Sequence, residues 1–249
     1  MMKKILFILS LLAVFSCKKA PSTLTKITAK TIAIDSTLTS SEEINETIAP
    51  YKEKMLAEIE KKLTYAPKDL VRTDGEMQSS LGNLLADLCY QVSNPIFKEK
   101  TTKNIDFAMF NYGGIRAGIP EGDVKNKHAF QLMPFENKLV IAELSGDKVN
   151  ELVQYFMSNQ KAHPLSKNIQ LTVTGNDYKL LINNKPFDNN KTYFVLTSDY
   201  LQGGGDKMNF FKDPVQVFNL DYKVRDAIIT YFKNNNPLVS TIDNRVIIK

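Results

Sequence analysis

Apolar residues recur every third or fourth position in several stretches of the chain, and this spacing predicts amphipathic helices. One such stripe runs through residues 42–63, and Ser40 followed by Glu43 has the spacing of a capping box at its start. Pro50 is expected to kink or split this helix. The length of the stripe predicts that the helix packs on the rest of the domain. Further helices are expected at residues 78–93, 146–159 and 222–235.

Apolar runs of strand length lie between these helices. Strands are expected at residues 105–111, 138–145 and 192–201, in a hairpin formed by NIQLTVTG and YKLLINN, and in the closing run NRVIIK. The segment KTIAID is a further candidate for an edge strand. Interleaved helices and strands without an internal repeat predict the fold class: a single layered α/β domain, of the α+β type, with a mixed sheet and packed helices.

The N-terminus has the pattern of an export signal. Lys3 and Lys4 precede an apolar run of eleven residues, which is too short to span a bilayer. The run ends at VFSC, which resembles a bacterial lipobox with Cys17 as the lipidated residue. This predicts a signal peptide over 1–16, a tether over 17–40, a domain over 41–249 and a lipid-anchored place at the cell envelope. The alternative is an ordinary signal peptide with an incidental cysteine.

Composition and charge limit the classes of partner that the protein is expected to bind. A hydrophobic fraction of 43% and a charged fraction of 24% are typical of a globular protein. The formal net charge is +5 without a basic run, so no nucleic-acid partner is expected. If Cys17 is acylated, Cys89 is the only remaining thiol, and its apolar surroundings in LLADLCYQV predict a small buried side chain.

Three short segments have residue types that packing alone does not require. The first, NYGGIRAGIPEG, places Arg116 on a loop whose glycines permit positive φ and a close approach to a ligand. The others are MPFEN, with Phe135, and DYLQGGGD, with Tyr200. On pattern alone each has a plain alternative: a turn with a solvated arginine, a core aromatic residue, and a strand residue followed by a turn.

Taken together, four motifs resemble the C-terminal domain of the 5′-nucleotidase family. They are LGNLLADL, NYGGIRAGIPEGDV, LMPFENKLVIAELSG and SDYLQGGGD, in family order across residues 40–249. The resemblance implies that Phe135 and Tyr200 sandwich a nucleobase, although position 200 is more often Phe in the family. It further implies that Asn137 reaches the base edge, Asp206 accepts ribose hydroxyls, Arg116 faces the sugar-phosphate side, Asn111 holds the loop, and Arg72 makes a second phosphate contact from a position with unfamiliar spacing.

Complete members of that family also have a metallophosphatase domain, whose two metal ions need several histidines and carboxylates. This chain has two histidines, His128 and His163, and neither lies in such a motif. We therefore expect no catalytic residue, metal ligand or cofactor in this chain, and expect divalent metals on a partner.

Three hypotheses follow for the function. In the first, the chain is the nucleotide- or nucleoside-recognition module of a 5′-nucleotidase-type hydrolase, working with a separate metallophosphatase chain that docks on the helix over 42–63. In the second, it is a non-catalytic nucleotide-binding lipoprotein. In the third, it is an interaction protein whose pocket has decayed. The intact set of motif residues argues against this third hypothesis.

Overall fold

The computed structural model of the protein describes residues 23–249. The predicted signal peptide and Cys17 lie outside the described residues. Contacts divide the chain into one unit, Met1–Ile48, of which residues 23–48 are described, and a second unit, Ala49–Lys249. Residues 23–41 form no helix or strand, so the segment KTIAID is not an edge strand. The predicted domain start at residue 41 stays a prediction.

From Glu42 onward the chain has interleaved helices and strands, as the sequence predicts, and the fold class is α/β. The helices are α1 (Glu42–Ile59), α2 (Ser80–Thr101), α3 (Asn126–Leu132), α4 (Gly146–Asn159), α5 (Asp199–Gln202) and α6 (Val224–Asn234). The strands are β1 (Lys62–Ala66), β2 (Phe107–Ala108), β3 (Gly122–Lys125), β4 (Lys138–Ser145), β5 (Ile169–Thr174), β6 (Asp177–Ile182), β7 (Lys185–Pro186), β8 (Thr192–Ser198), β9 (Gln216–Lys223) and β10 (Val246–Ile248).

The first helix is not split at Pro50, and its packing differs from the prediction. It runs through Pro50 without a break, because the proline removes one backbone hydrogen bond and the turns on either side remain. None of its residues is buried. Apolar side chains of its stripe, among them Tyr51, Met55 and Leu56, stay exposed, so the predicted packing of this helix is wrong. No helix within residues 23–249 has the length and hydropathy needed to cross a bilayer.

The central sheet has four strands in the order β2-β8-β4-β9. Strand β2 is parallel to β8, whereas β4 is antiparallel to both β8 and β9, so the sheet is mixed as predicted. A second sheet has the order β10-β5-β6-β7 and contains the predicted hairpin of β5 and β6. Strands β1 and β3 form a separate antiparallel pair.

The ends of two elements depart from the sequence prediction for local reasons. Strand β2 is shorter than expected because the chain after it pairs with an irregular segment: Phe110 donates its N–H to the Pro164 carbonyl oxygen at 2.9 Å. Strand β8 ends at Ser198 because the hydroxyl of that residue accepts the N–H of Leu201 at 3.3 Å and caps α5. Both changes place loops at one end of the strands of the central sheet.

The core joins α2 to the central sheet through aromatic rings. Helix α2 begins at its N-cap Ser79, whose hydroxyl accepts the Gly82 N–H at 3.0 Å. Near its other end, Phe97 is fully buried, with its ring centroid 5.4 Å from that of Phe194 on β8 and 5.2 Å from that of Phe218 on β9. This contact fixes the helix against two strands of the sheet.

We expect Phe97→Ala to destabilise the protein by about 3–5 kcal/mol, because it removes a buried ring and leaves a cavity between two other rings. The free energy of unfolding from urea titration measures this effect. Tyr51→Ala is the matched control, since Tyr51 is 74% exposed and its loss is expected to change stability by no more than about 0.5 kcal/mol. Equal effects of the two substitutions would contradict this account of the core.

Candidate functional site

Three loops meet at one end of the central sheet because of the strand directions. Parallel strands β2 and β8 both end there, and antiparallel β4 begins there. The loops are residues 111–116 after β2, residues 133–137 before β4 and residues 199–206 after β8. They enclose a cavity of about 260 Å³ lined by Asn111, Gly113, Gly114, Arg116, Phe135, Asn137, Tyr200 and Asp206. Six of the seven residues that the sequence assigned to a binding site are therefore brought together, and Arg72 is not.

Two aromatic rings line this cavity and keep much of their surface exposed. Phe135 is 40% and Tyr200 is 47% exposed. Arg116 lies beside the first ring, with its guanidinium carbon 5.9 Å from the Phe135 centroid. The ring of Tyr200 packs against Gly205, where a Cβ atom would collide with it. Exposed rings held in fixed positions at a cavity are typical of surfaces that stack on flat ligands.

Asp206 is the acidic group of the cavity, and two neighbouring side chains hold its carboxylate. Asn111 Nδ2 donates to Oδ2 at 2.6 Å, and the Tyr200 hydroxyl donates to Oδ1 at 3.0 Å. The sequence assigned these residues to the loop, the base and the sugar separately. In the structure these three side chains form one hydrogen-bonded network that connects the loop after β2 to the loop after β8.

The glycine loop, residues 111–116, brings Arg116 to the cavity. Neither Gly113 nor Gly114 has a positive φ, contrary to the general expectation for such a loop. Space is the reason for glycine here, because a Cβ on Gly114 would lie 2.6 Å from Asn111 Oδ1. The Arg116 N–H donates to the Leu132 carbonyl oxygen at 3.0 Å, whereas its exposed guanidinium makes only a 3.4 Å hydrogen bond to the Gly113 carbonyl oxygen.

Arg72 supports the glycine loop from outside the cavity. Its Nη1 donates to the carbonyl oxygens of Tyr112 at 3.2 Å and Ile115 at 2.6 Å. Its guanidinium carbon also lies 4.4 Å from the centroid of the Tyr112 ring, within cation–π distance. The structure therefore places Arg72 against the glycine loop, with Nη1 bonded to two loop carbonyl oxygens, rather than in the cavity lining where the sequence expected a phosphate contact.

Arg225, which the sequence analysis missed, has the same function for the loop that carries Phe135. It is buried on the first turn of α6 and donates to the carbonyl oxygens of Phe135 at 3.2 Å and Met133 at 3.4 Å. It also forms an ion pair with Glu136. Hydrogen bonds from Lys223 and then from Arg225 lower the pKa of that carboxyl to about 2. An arginine on the apolar face of a predicted helix is the signal that could have found it.

A buried histidine and a tyrosine support the loops from below. His163 is 3% exposed, and its Nδ1 accepts the Tyr112 N–H at 3.1 Å. Its ring centroid lies 5.5 Å from that of Tyr155, whose hydroxyl donates to the Asp206 carbonyl oxygen at 2.8 Å. Burial lowers the pKa of His163 to about 4, so the imidazole is neutral at pH 7. No pattern in the sequence indicates this role.

The described residues do not fit a metal centre. Within residues 23–249, no three or more His, Cys, Asp or Glu side chains are grouped closely enough to hold a metal ion. Both histidines use Nδ1 as a hydrogen-bond acceptor, His163 for Tyr112 and His128 for the Lys125 N–H at 3.1 Å.

The fold and the cavity define a class of α/β domain that presents exposed aromatic rings and an arginine-bearing glycine loop at one end of a mixed sheet. The family model described as "5′-nucleotidase, C-terminal domain" matches residues 57–213, which is more than half of the chain. The chain belongs to the 5′-nucleotidase family and spans its C-terminal domain. This confirms the resemblance seen in the four motifs.

Individual relatives agree with this assignment. The chain is 29% identical to the "Trifunctional nucleotide phosphoesterase protein YfkN" of Bacillus subtilis, over 58% of this chain and 10% of that protein. It is 24% identical to "Protein UshA" of Escherichia coli, over 77% of this chain and 34% of that protein. Among solved structures, the 5′-nucleotidase precursor of Thermus thermophilus shares the fold, with a TM-score of 0.66 and 18% identity over 82% of this chain and 42% of that one. The chain therefore spans about a third or less of these two curated relatives.

The depressed pKa of His163 predicts a pH dependence of stability. The folded pKa of about 4 lies below the ordinary value of 6.5, so unfolding takes up a proton between these values. The contribution is fully present above pH 6.5 and is lost as the pH falls toward 4. From these two values we expect a loss of about 2 kcal/mol between pH 7.5 and pH 5.

Urea unfolding at pH 7.5 and pH 5 measures this loss. His163→Asn keeps an acceptor for the Tyr112 N–H but does not titrate, so its stability should change less between the two pH values. His128→Asn is the matched control and should retain most of the loss. A wild-type slope that persists in His163→Asn would assign the effect to other groups.

Proposed function

We propose that the cavity binds the nucleoside part of a nucleotide or a free nucleoside. The observation that carries this proposal is the pair of exposed rings, Phe135 and Tyr200, in one cavity with Asp206 and Arg116. A base stacks on the rings, since stacking on an aromatic side chain contributes about 1–3 kcal/mol per base. The Asp206 carboxylate accepts ribose hydroxyls, and Asn137 meets the base edge. Arg116 contacts the phosphate from its loop.

We also propose that ester hydrolysis depends on a separate metallophosphatase chain that carries the divalent metals. The ligand set of the described residues supports this proposal. Two-metal hydrolysis needs a ligand cluster that the described residues do not form. The exposed apolar side chains of α1, including Tyr51 and Met55, are the docking surface of this proposal.

For location, we propose export followed by lipid anchoring through Cys17 in the cell envelope. The basic residues, apolar run and VFSC motif at the N-terminus support it. One relative, 28% identical over 68% of this chain, is the "Cell wall protein Lmo0130" of Listeria monocytogenes. Metabolic labelling with a fatty acid, compared between the wild type and Cys17→Ser, tests the anchor.

Loss of both rings is expected to remove most of the nucleoside affinity. Phe135→Ala combined with Tyr200→Ala should weaken adenosine binding by about 2–5 kcal/mol in isothermal titration calorimetry, because both stacking contributions are lost. The matched control is Tyr51→Ala with Tyr65→Ala, which removes two exposed rings that do not line the cavity. Unchanged adenosine binding by the Phe135/Tyr200 variant would refute the base site.

The proposed dependence of ester hydrolysis on a second chain has its own test. Phosphate release from 5′-AMP should require both this chain and a metallophosphatase chain of the same organism, and neither alone should release phosphate. Adenosine binding without any phosphate release in the mixture would instead favour the alternative function, a nucleotide-binding lipoprotein.

A further inference from the structure

The Asp206 turn has an unfavourable backbone conformation that its neighbours stabilise. Asp206 and Lys207 have φ values of 51° and 62°, and consecutive positive φ values at non-glycine residues cost free energy. Two hydroxyl groups oppose this cost. Tyr155 donates to the Asp206 carbonyl oxygen at 2.8 Å, and the Tyr200 hydroxyl accepts the Asp206 N–H at 3.3 Å. The position of the Asp206 side chain therefore depends on both tyrosines.

The Tyr200 hydroxyl contacts Asp206 twice. Besides accepting the backbone N–H, it donates to the carboxylate Oδ1 at 3.0 Å. Asn111 donates to the other oxygen, Oδ2, at 2.6 Å. The torsion of the carboxylate is thus fixed by one donor on each oxygen. Because each carboxylate oxygen has about two acceptor sites, one site per oxygen remains for a ligand.

A carboxylate fixed in this way is suited to two hydroxyl groups on adjacent carbon atoms. Each hydroxyl can donate to one oxygen without displacing Asn111 or Tyr200. A ligand with a single hydroxyl leaves one of the two remaining acceptor sites without its partner. A carboxylate free to rotate would first have to be ordered by the ligand, and that ordering costs binding free energy.

We infer that the Tyr200 hydroxyl, acting through Asp206, makes the site select ribonucleosides over 2′-deoxyribonucleosides. This inference rests on the proposed nucleoside site. The ring of Tyr200 stacks on the base, and its hydroxyl is a positioning group for the sugar. A phenylalanine at this position would retain the ring but lack the hydroxyl that contacts Asp206.

The test compares two ligands on a single-atom variant. Isothermal titration calorimetry measures the dissociation constants of adenosine and 2′-deoxyadenosine for the wild type and for Tyr200→Phe. A hydrogen bond to a charged group contributes about 1.5–3 kcal/mol, so the wild type should prefer adenosine by about tenfold or more. Tyr200→Phe should bind adenosine about 3- to 10-fold more weakly, because a ligand that uses both carboxylate oxygens must then order the carboxylate. It should bind 2′-deoxyadenosine within about twofold of the wild type, because a single hydroxyl needs only one oxygen. The preference should therefore fall.

Two further variants separate this role from a general effect on folding. Tyr222→Phe removes a hydroxyl that is hydrogen-bonded to Thr230 outside the cavity, and it should leave the preference unchanged. In an Asp206→Asn background, the preference should be the same with Tyr or Phe at position 200, because the hydroxyl acts through the carboxylate. Thermal unfolding of each variant confirms that it is folded.

The outcomes are distinguishable. If the wild type and Tyr200→Phe bind adenosine with the same preference over 2′-deoxyadenosine, the inference is overturned and the nucleoside site stands. A Tyr200→Phe effect that persists undiminished in Asp206→Asn also overturns it. If the wild type binds neither ligand, the proposed function fails and the inference fails with it.

Discussion

The antiparallel pairing of β4 with β8 is the constraint on which the site depends. Its register places Leu139 opposite Ser198, so the loop before one strand and the loop after the other leave the sheet side by side. The Asp199 carboxylate then joins them, because its Oδ1 accepts both the Lys138 N–H at 3.1 Å and the Tyr200 N–H at 2.8 Å. A slip of one residue would reverse the faces of the strand and separate the two aromatic loops.

The loops themselves lack the ladder of hydrogen bonds that fixes a strand, and two arginines replace it. Arg72 binds two carbonyl oxygens of the glycine loop and stacks on Tyr112, while Arg225 binds two carbonyl oxygens of the Phe135 loop. Arg72 Nη1 and Arg225 Nη1 donate to these carbonyl oxygens, and Arg225 also pairs with the Glu136 carboxylate. These contacts hold both loops before a ligand arrives. Such preorganisation lowers the entropy lost on binding.

Local patterns were enough for the elements and for most of the site, but not for its supports. The bounds of β4 followed from a continuous apolar run, because consecutive residues of this central strand are buried, and those of α4 followed from apolar spacing, because this helix has one buried face. The cavity residues followed from short motifs whose order along the chain resembles a family. The contacts of Arg225 and His163 with these loops, by contrast, join segments 90 and 51 residues apart. No local spacing encodes such a pair, and the same is true of the braced position of Arg72.

The site therefore has a rigid end and a loose end. Asp206 and Tyr200 are held by several hydrogen bonds, whereas the Arg116 guanidinium is exposed and makes only a 3.4 Å hydrogen bond to Gly113. For the proposed nucleotide ligand, base and sugar meet groups that are already ordered, so they supply most of the affinity. The phosphate meets a side chain that must be ordered as it binds, and this cost reduces the net gain from the charge. An exposed guanidinium still attracts anions before contact, so its larger effect is on the rate of association.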